Sequence, residues 1–481
     1  MYILRKDRAD ILLTTTSKSS GLYSNSVRGE LEVNHVANRG QTLKIYRRAP
    51  KYAYVSWYIL IFSWMQGIAV LHITLLICTL LSLPFIPNAV KKLKSIPWVY
   101  IPVVSYEAIR LLSAVMSEHP DKAFIGIFDD FRAITFGFLT LLFLNNRKDL
   151  KYAAWITFSG FTSFAYWVLL YHLYTHHGSL QPTIDIHLGT LGSVNYAAAI
   201  YAMVMLSMIT AAIILPRKYM FWMVLGIIPF AILQIPLGSR TTMMVTVILC
   251  LAIILFLRAW KAMLPLAFLG MITLAFLAFT PTGLSQFSSL AQSKEQITGH
   301  GGIPSIQIRW EIFQVLAHLS LQHTLGLGPK NHIYVNLNHE RKFLKEHAKA
   351  ICRYVYGFTT DSKQFRTFNF NHPTGSKSHP FTSDPHSQYT IVLSETGPIG
   401  CFFLLMVFAG ILRYSIPMLA FKHDIQQKLL ALSGITMLSV FLLSGLTVVL
   451  IYQAGNLMLF GYMAALASNK NFSHTNVLDT R

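Results

Sequence analysis

Three short segments of the chain carry residue types suited to binding phosphate and moving a proton. In Gln234-Ile-Pro-Leu-Gly-Ser239-Arg240-Thr-Thr, a guanidinium stands at the start of an apolar helix, beside Gly and hydroxyl residues that can donate further hydrogen bonds. Arginine grips phosphate oxygens through two parallel N–H donors, and a helix N-terminus adds its own attraction for an anion. The same position also suits an interfacial Arg whose head reaches lipid phosphates, and position alone does not choose. In Ile306-Gln-Ile-Arg309-Trp-Glu311-Ile-Phe, Arg309 opens an amphipathic helix and offers a second phosphate ligand; the plainer reading is a solvated charge or a pair with Glu311. In Asp384-Pro-His386-Ser-Gln-Tyr, His386 sits at the mouth of the next apolar helix, with Glu395 roughly two to three turns further on. Its unperturbed pKa near working pH suits it to accept a proton from an attacking hydroxyl, or to orient a substrate; the plainer reading is a polar cap.

Other chemistries find little support. His372, His379 and His386 recur every seven residues, but the prolines between them spoil a regular face and no carboxylate or Cys spacing completes a zinc site, so no metal is expected. There is no Gly-Lys-[Ser/Thr] phosphate loop, dinucleotide fingerprint or Ser nucleophile elbow. ATP-driven and acyl-enzyme mechanisms therefore have nothing to rest on, and no cofactor is expected. Glu107, Arg110, Asp129, Asp130 and Arg132 fall inside apolar runs, where charge is costly unless paired. Glu107 and Arg110, three apart, can pair along one helix, and structural pairing is favoured over an ion path.

The elements that must hold these residues are membrane helices. The 481 residues are 53% hydrophobic and 12% charged, and the apolar residues come in runs of about twenty, the length needed to cross hydrocarbon. The net charge of +20 would suggest nucleic acid in a soluble protein. Here the positive-inside rule accounts for much of it, and no nucleic-acid partner is expected. Runs lie near 97–116, 123–144, 152–173, 192–215, 219–237, 241–257, 262–280, 388–412, 427–446 and 447–467, after a first stretch from Tyr54 to Ile86. As one helix that stretch would be about 50 Å long against a core of about 30 Å. A hairpin turning near Gln66-Gly67 or His72 places Lys91/Lys92/Lys94, Arg147/Lys148/Lys151, Arg217/Lys218, Arg258/Lys261 and Arg413/Lys422/Lys428 on one side with the N-terminus.

The fold expected is an all-α polytopic membrane protein with about twelve transmembrane helices and one large, partly helical periplasmic loop. A basic, disordered cytoplasmic tail (1–52) precedes helices one to nine (53–280), the loop (281–387), helices ten to twelve (388–467) and a cytoplasmic tail (468–481). The loop holds half of the 18 histidines and enough aromatic and aliphatic residues to fold as short helices, Ile308 to Leu321 among them. Three of the four cysteines lie in apolar runs, leaving only Cys352 to face an oxidising compartment.

Order, spacing and setting of these segments resemble the O-antigen ligase family, over roughly residues 54–467. Asp384-Pro-His386-Ser-Gln-Tyr followed by Ser394-Glu395-Thr-Gly-Pro-Ile-Gly400 looks like the family's loop-to-helix signature around its essential histidine. Ser239-Arg240 resembles its Arg before a membrane helix, and Arg309-Trp310, followed by Leu325-Gly-Leu-Gly328, its second Arg in the periplasmic loop. Leu191-Gly-Ser-Val-Asn-Tyr-Ala197 resembles the Gly/Asn-containing start of an earlier helix. The chain departs from the pattern in Ser387, where the family often has Asn, and in its long basic tail.

The resemblance implies an inner-membrane glycosyltransferase whose active site faces the periplasm, and the positive-inside rule puts both termini in the cytoplasm. Its donor would be an undecaprenyl diphosphate-linked glycan and its acceptor the lipid A-core oligosaccharide of lipopolysaccharide, joined without metal or nucleotide and with inversion. Arg240 and Arg309 would bind the diphosphate, His386 would activate or position the acceptor hydroxyl, and Ser239, Asp384 and Glu395 would support them. The competing readings are a protein O-oligosaccharyltransferase, an O-antigen polymerase and, from another class, a proton-coupled transporter that would use the intramembrane charges.

Overall fold

Hydrocarbon offers the backbone no hydrogen-bond partners, so long apolar runs close their own bonds as helices. The computed structural model describes residues 51–63, 66, 68–83, 86–177, 194–237, 239–259, 305–331, 337–355, 357–370, 387–419, 424–446 and 458–466, and among them every regular element is helical. In chain order these are α1 (51–63), α2 (Ile68–Ser82), α3 (Ile86–Leu93), α4 (Pro97–Met116), α5 (Pro120–Phe143), α6 (Arg147–Thr175), α7 (Val194–Ile214), α8 (Arg217–Leu237), α9 (Arg240–Leu257), α10 (Ser305–Gln322), α11 (Arg341–His347), α12 (Lys349–Val355), α13 (Lys363–Thr367), α14 (Gln388–Leu419), α15 (Ile425–Ser444) and α16 (458–466), with a 3₁₀ turn at Leu337–Glu340. Residues Met1–Tyr52 part from Ala53–Arg481 as a separate unit. The tails, the run expected at 262–280, His372 and His379 lie outside the described residues.

Among the described residues five helices are long and apolar enough to cross a membrane: Pro97–Met116, Arg147–Thr175, Asn195–Ile214, Gln388–Leu419 and Ile425–Ser444. The shorter Ala69–Ser82 and Thr241–Leu257 are also apolar. Large apolar side chains such as Ile73, Leu76, Met244, Phe256, Phe402 and Leu405 face outward, as lipid-facing residues do. Helix α7 stands at the centre, enclosed by α8, α9 and α15. Its Ala197, Ala198, Ala199 and Ala202 are fully buried, and their small side chains let neighbouring backbones approach closely. The protein is an all-α, multi-pass membrane protein.

The break between α1 and α2 falls at Gln66, whose N–H bonds Ser63 O at 2.9 Å, where the hairpin was expected. Its two legs return to one level: Tyr54 of α1 and Lys92 of α3 both reach Asn145 just beyond α5, Lys92 Nζ at 2.8 Å. Lys92 also donates to the terminal carbonyls of Leu141 and Leu144, each at 2.8 Å, placing a cation on the negative end of α5. Arg147 at the start of α6 pairs with Asp424 before α15 at 2.8 Å, and Lys151 lies over Tyr219 at the start of α8. Basic clusters scattered along the sequence thus gather at one end of the bundle.

Between α9 and α14, helices α10 to α13 form a lobe with its own core, including Val315, Leu319, Leu344, Ile351, Phe365 and Phe370. The amphipathic helix expected from Ile308 to Leu321 is α10. One expectation needs correction: the run at 388–412 is not a single straight helix. It extends to Leu419 and breaks at Gly397, whose φ of 64° and ψ of −172° suit only glycine, just before Pro398.

Candidate active site

Arg240 is the first residue of α9, and Ser239 is its N-cap. Ser239 is buried, and its Oγ lies 2.9 Å from Thr242 Oγ1 rather than capping a backbone N–H. The free N–H groups of this first turn are therefore not used by the Ser239 side chain. The side chain of Arg240, and residues Asp384 and His386, lie outside the described residues.

Arg309 lies early in α10 and is partly exposed. The alternative raised by its neighbourhood, a pair with Glu311, is not what forms. Glu311 is buried, and its Oε2 accepts the N–H groups of Ala350 at 2.8 Å and Ile351 at 3.0 Å, while Oε1 accepts Gln307 Nε2 at 3.3 Å. This carboxylate ties α10 to the first turn of α12, where a negative charge is favoured. Among the described residues no carboxylate or carbonyl partners Arg309.

The start of α14 is fixed by the two residues that follow His386-Ser387. Gln388 is fully buried; its N–H donates to Gly445 O at 2.9 Å and its Nε2 to Phe441 O at 3.0 Å. Tyr389 donates its hydroxyl to Leu442 O at 2.7 Å. These bonds use carbonyls at the end of α15 and just beyond it, so Gln388 and Tyr389 lock the mouth of α14 to a neighbouring helix.

Further along, the break in α14 receives the loop that follows α10. Leu327 N–H donates to Ser394 O at 2.7 Å and Gly328 N–H to Glu395 O at 3.0 Å. Glu395, buried, accepts Lys330 N–H on Oε1 at 2.6 Å, and Ser113 Oγ of α4 donates to Glu395 O, also at 2.6 Å. The fit depends on missing side chains: a Cβ on Gly397 would stand 2.2 Å from Thr324 O, and one on Gly326, at φ 76°, 2.4 Å from the Glu395 carbonyl carbon. Leu325-Gly-Leu-Gly328 and Ser394-Glu395-Thr-Gly397, distant in sequence, are two halves of one joint. Glu395 supports this joint.

Helix direction places the start of α9 and the start of α14 at one end. α6 and α15 both begin at the basic end, joined by Arg147–Asp424, so the end of α15 and the start of α14 lie at the other. α8 begins beside α6, so its end and the start of α9 lie there too. Arg240 and Ser387 therefore share the end opposite the basic clusters, and α10 packs against α14.

The intramembrane charges are largely spoken for. Arg110 pairs with Glu107 at 3.3 Å, as the spacing predicts, and Arg132 meets His72 at 3.0 Å; the side chains of Asp129 and Asp130 lie outside the described residues. Among the described residues no three His, Cys, Asp or Glu side chains converge as metal ligands. Cys352 is buried in the lobe core, and desolvation, then the nearby Glu311 charge, pushes its thiol up to about 12.

An all-helical membrane bundle with a helical lobe and two Arg-bearing helix starts defines the class. Residues 230–405, which run from late α8 to the middle of α14, match the family described as O-Antigen ligase. Comparison with curated proteins gives no match to the chain. Sequence reasoning passed over Gln388, Tyr389, Ser113 and Lys330 as positioning residues. Only the first two had a signal, their place directly after His386.

Proposed function

We propose that this protein is an O-antigen ligase of the bacterial inner membrane, transferring a glycan from undecaprenyl diphosphate to the lipid A-core oligosaccharide. The observation that carries the reading is the shared end of α9 and α14 within the family-matched region, beside a lobe that leaves Arg309 without a protein partner among the described residues. In this reading that end faces the periplasm, the basic end faces the cytoplasm with both termini, and about twelve helices cross the bilayer.

Arg240 and Arg309 hold the donor's diphosphate and stabilise the charge that grows on it as the anomeric C–O bond breaks. His386 takes the proton from the acceptor hydroxyl while its oxygen bonds to the anomeric carbon from the opposite face, which inverts that centre. The products are the lengthened lipopolysaccharide and free undecaprenyl diphosphate. The diphosphate is itself a good leaving group, so the reaction as written draws on no metal or nucleotide.

The test is to delete the gene and complement it with wild type, Arg240→Ala, Arg309→Ala or His386→Ala, reading lipopolysaccharide ladders and exported-protein glycosylation together. The proposal requires bare lipid A-core in the deletion and in all three variants, and a ladder restored by wild type alone. An intact ladder with lost protein glycosylation would move the assignment to an oligosaccharyltransferase. Full-length ligated glycans shortened to one repeat would mark a polymerase.

A further inference from the structure

At the basic end of the bundle, opposite the proposed active site, a cavity of about 460 Å³ lies between the starts of α6 and α8. Trp155, Lys218, Tyr219 and Trp222 line it. Trp155 and Tyr219 lie tilted with ring centroids 5.7 Å apart, and the ammonium groups of Lys151 and Lys218 stand 5.8 Å and 5.2 Å from the centre of the Tyr219 ring. Two cations from two helices thus stand beside one aromatic ring. Neither lysine has a carboxylate partner among the described residues. The nearest acid in sequence, Asp149, is turned towards the end of α5, where its Oδ2 accepts Asn145 N–H at 3.2 Å.

Beside the cavity, the start of α8 carries exposed apolar side chains. Met220, Phe221 and Val224 of α8 are exposed, Phe221 by 66%, and in a membrane such a face lies against acyl chains. A fitting ligand therefore has an anionic head, a stem that packs on indole rings, and a long apolar tail. We propose that this cavity is a binding site for an anionic phospholipid of the surrounding bilayer, its phosphate held between Lys151 and Lys218 and its glycerol region against Trp155 and Trp222. A zwitterionic headgroup carries its own ammonium, which the two lysines repel, so the site selects for net negative charge. Nothing in this assignment depends on the glycan-transfer reading.

The experiment uses the full-length protein in detergent micelles, titrated with phosphatidylglycerol or phosphatidylcholine and read by native mass spectrometry. Each lysine near an anionic headgroup contributes roughly fivefold in affinity, so Lys151→Ala/Lys218→Ala weakens the tightest phosphatidylglycerol by roughly twenty-five-fold and does not weaken phosphatidylcholine. Trp155→Ala, which keeps the charge, weakens it a few-fold, and Lys345→Ala in the lobe has no effect. Unfolding temperatures of the variants equal to wild type show that the fold is kept, and a variant that unfolds early is replaced by Lys151→Gln/Lys218→Gln with the same expected loss. Equal affinity for both lipids, or undiminished phosphatidylglycerol binding in the double-lysine variant, overturns the assignment. Displacement of phosphatidylglycerol by inorganic phosphate alone also overturns it, by marking a site for free anions.

Discussion

The joint between α14 and the loop at 324–331, and the helix starts that carry Arg240 and Arg309, are built from similar polar residues and end up differently. In the joint, Glu395, Ser113 and the loop backbone bond one another inside the protein, and glycines at 326 and 397 let the chains touch. At the helix starts, Ser239 bonds Thr242 rather than the backbone, and Glu311, the obvious partner for Arg309, is committed to α12. A charge buried in a membrane protein is costly unless something neutralises it. Where the fold supplies the partner the residue is structural, as for Glu107–Arg110 and Arg147–Asp424. Where the fold supplies none among the described residues, as for the partly exposed Arg309, a ligand is the natural partner.

The largest effect is expected on the structural side. Gly397→Val adds a side chain at positive φ against Thr324 O, and the full-length protein should fail to accumulate in membranes; normal levels with normal activity would break the joint apart as an explanation. Next, Arg309→Ala should lower glycan transfer by about 10²–10³-fold while leaving the unfolding temperature unchanged, and Arg309→Lys should recover only part, since an ammonium cannot bind two oxygens in parallel. A drop in stability matching the drop in activity would place Arg309 with the structural group.

Glu395→Ala should cost about 1–3 kcal/mol by removing the acceptor of the partly buried Lys330 N–H, whereas Glu395→Gln, which keeps an acceptor, should cost less. Thermal unfolding measures both, and a rate loss in Glu395→Gln with full stability would give this residue a chemical role as well. Smallest is a labelling effect: with its thiol pushed up to about 12, Cys352 stays protonated at neutral pH, and a maleimide should modify it only after the lobe unfolds.

Much of the bundle was legible in the sequence because the hydrocarbon thickness sets helix length and lipid forbids open backbone. The ends of α4, α7 and α9 fall within two residues of the apolar runs. The α1–α2 hairpin followed from length and charge. The break at Gly397 was not foreseen, although Thr-Gly-Pro marks it, because the apolar pattern runs through it unbroken. Residue type and the following apolar run put Arg240 and Arg309 at helix starts, which is where α9 and α10 carry them. The fate of Glu311 was illegible, because its true partners at 350 and 351 are some forty residues away and are set by how α10 meets α12. A longer separation, 65 residues between Lys330 and Glu395, hid the joint of residues 326–330 with 394–397.

The most direct test of the central claim is reconstitution. Purified protein in liposomes is given lipid-linked glycan and lipid A-core, and both ligated lipopolysaccharide and released undecaprenyl diphosphate are measured for wild type and Arg309→Ala. The account predicts equal amounts of the two products from wild type, formed in the presence of a chelator, and at least a hundredfold slower formation of both by the variant. Ligation at the wild-type rate by Arg309→Ala, or no ligation by the intact protein with both substrates present, would contradict it.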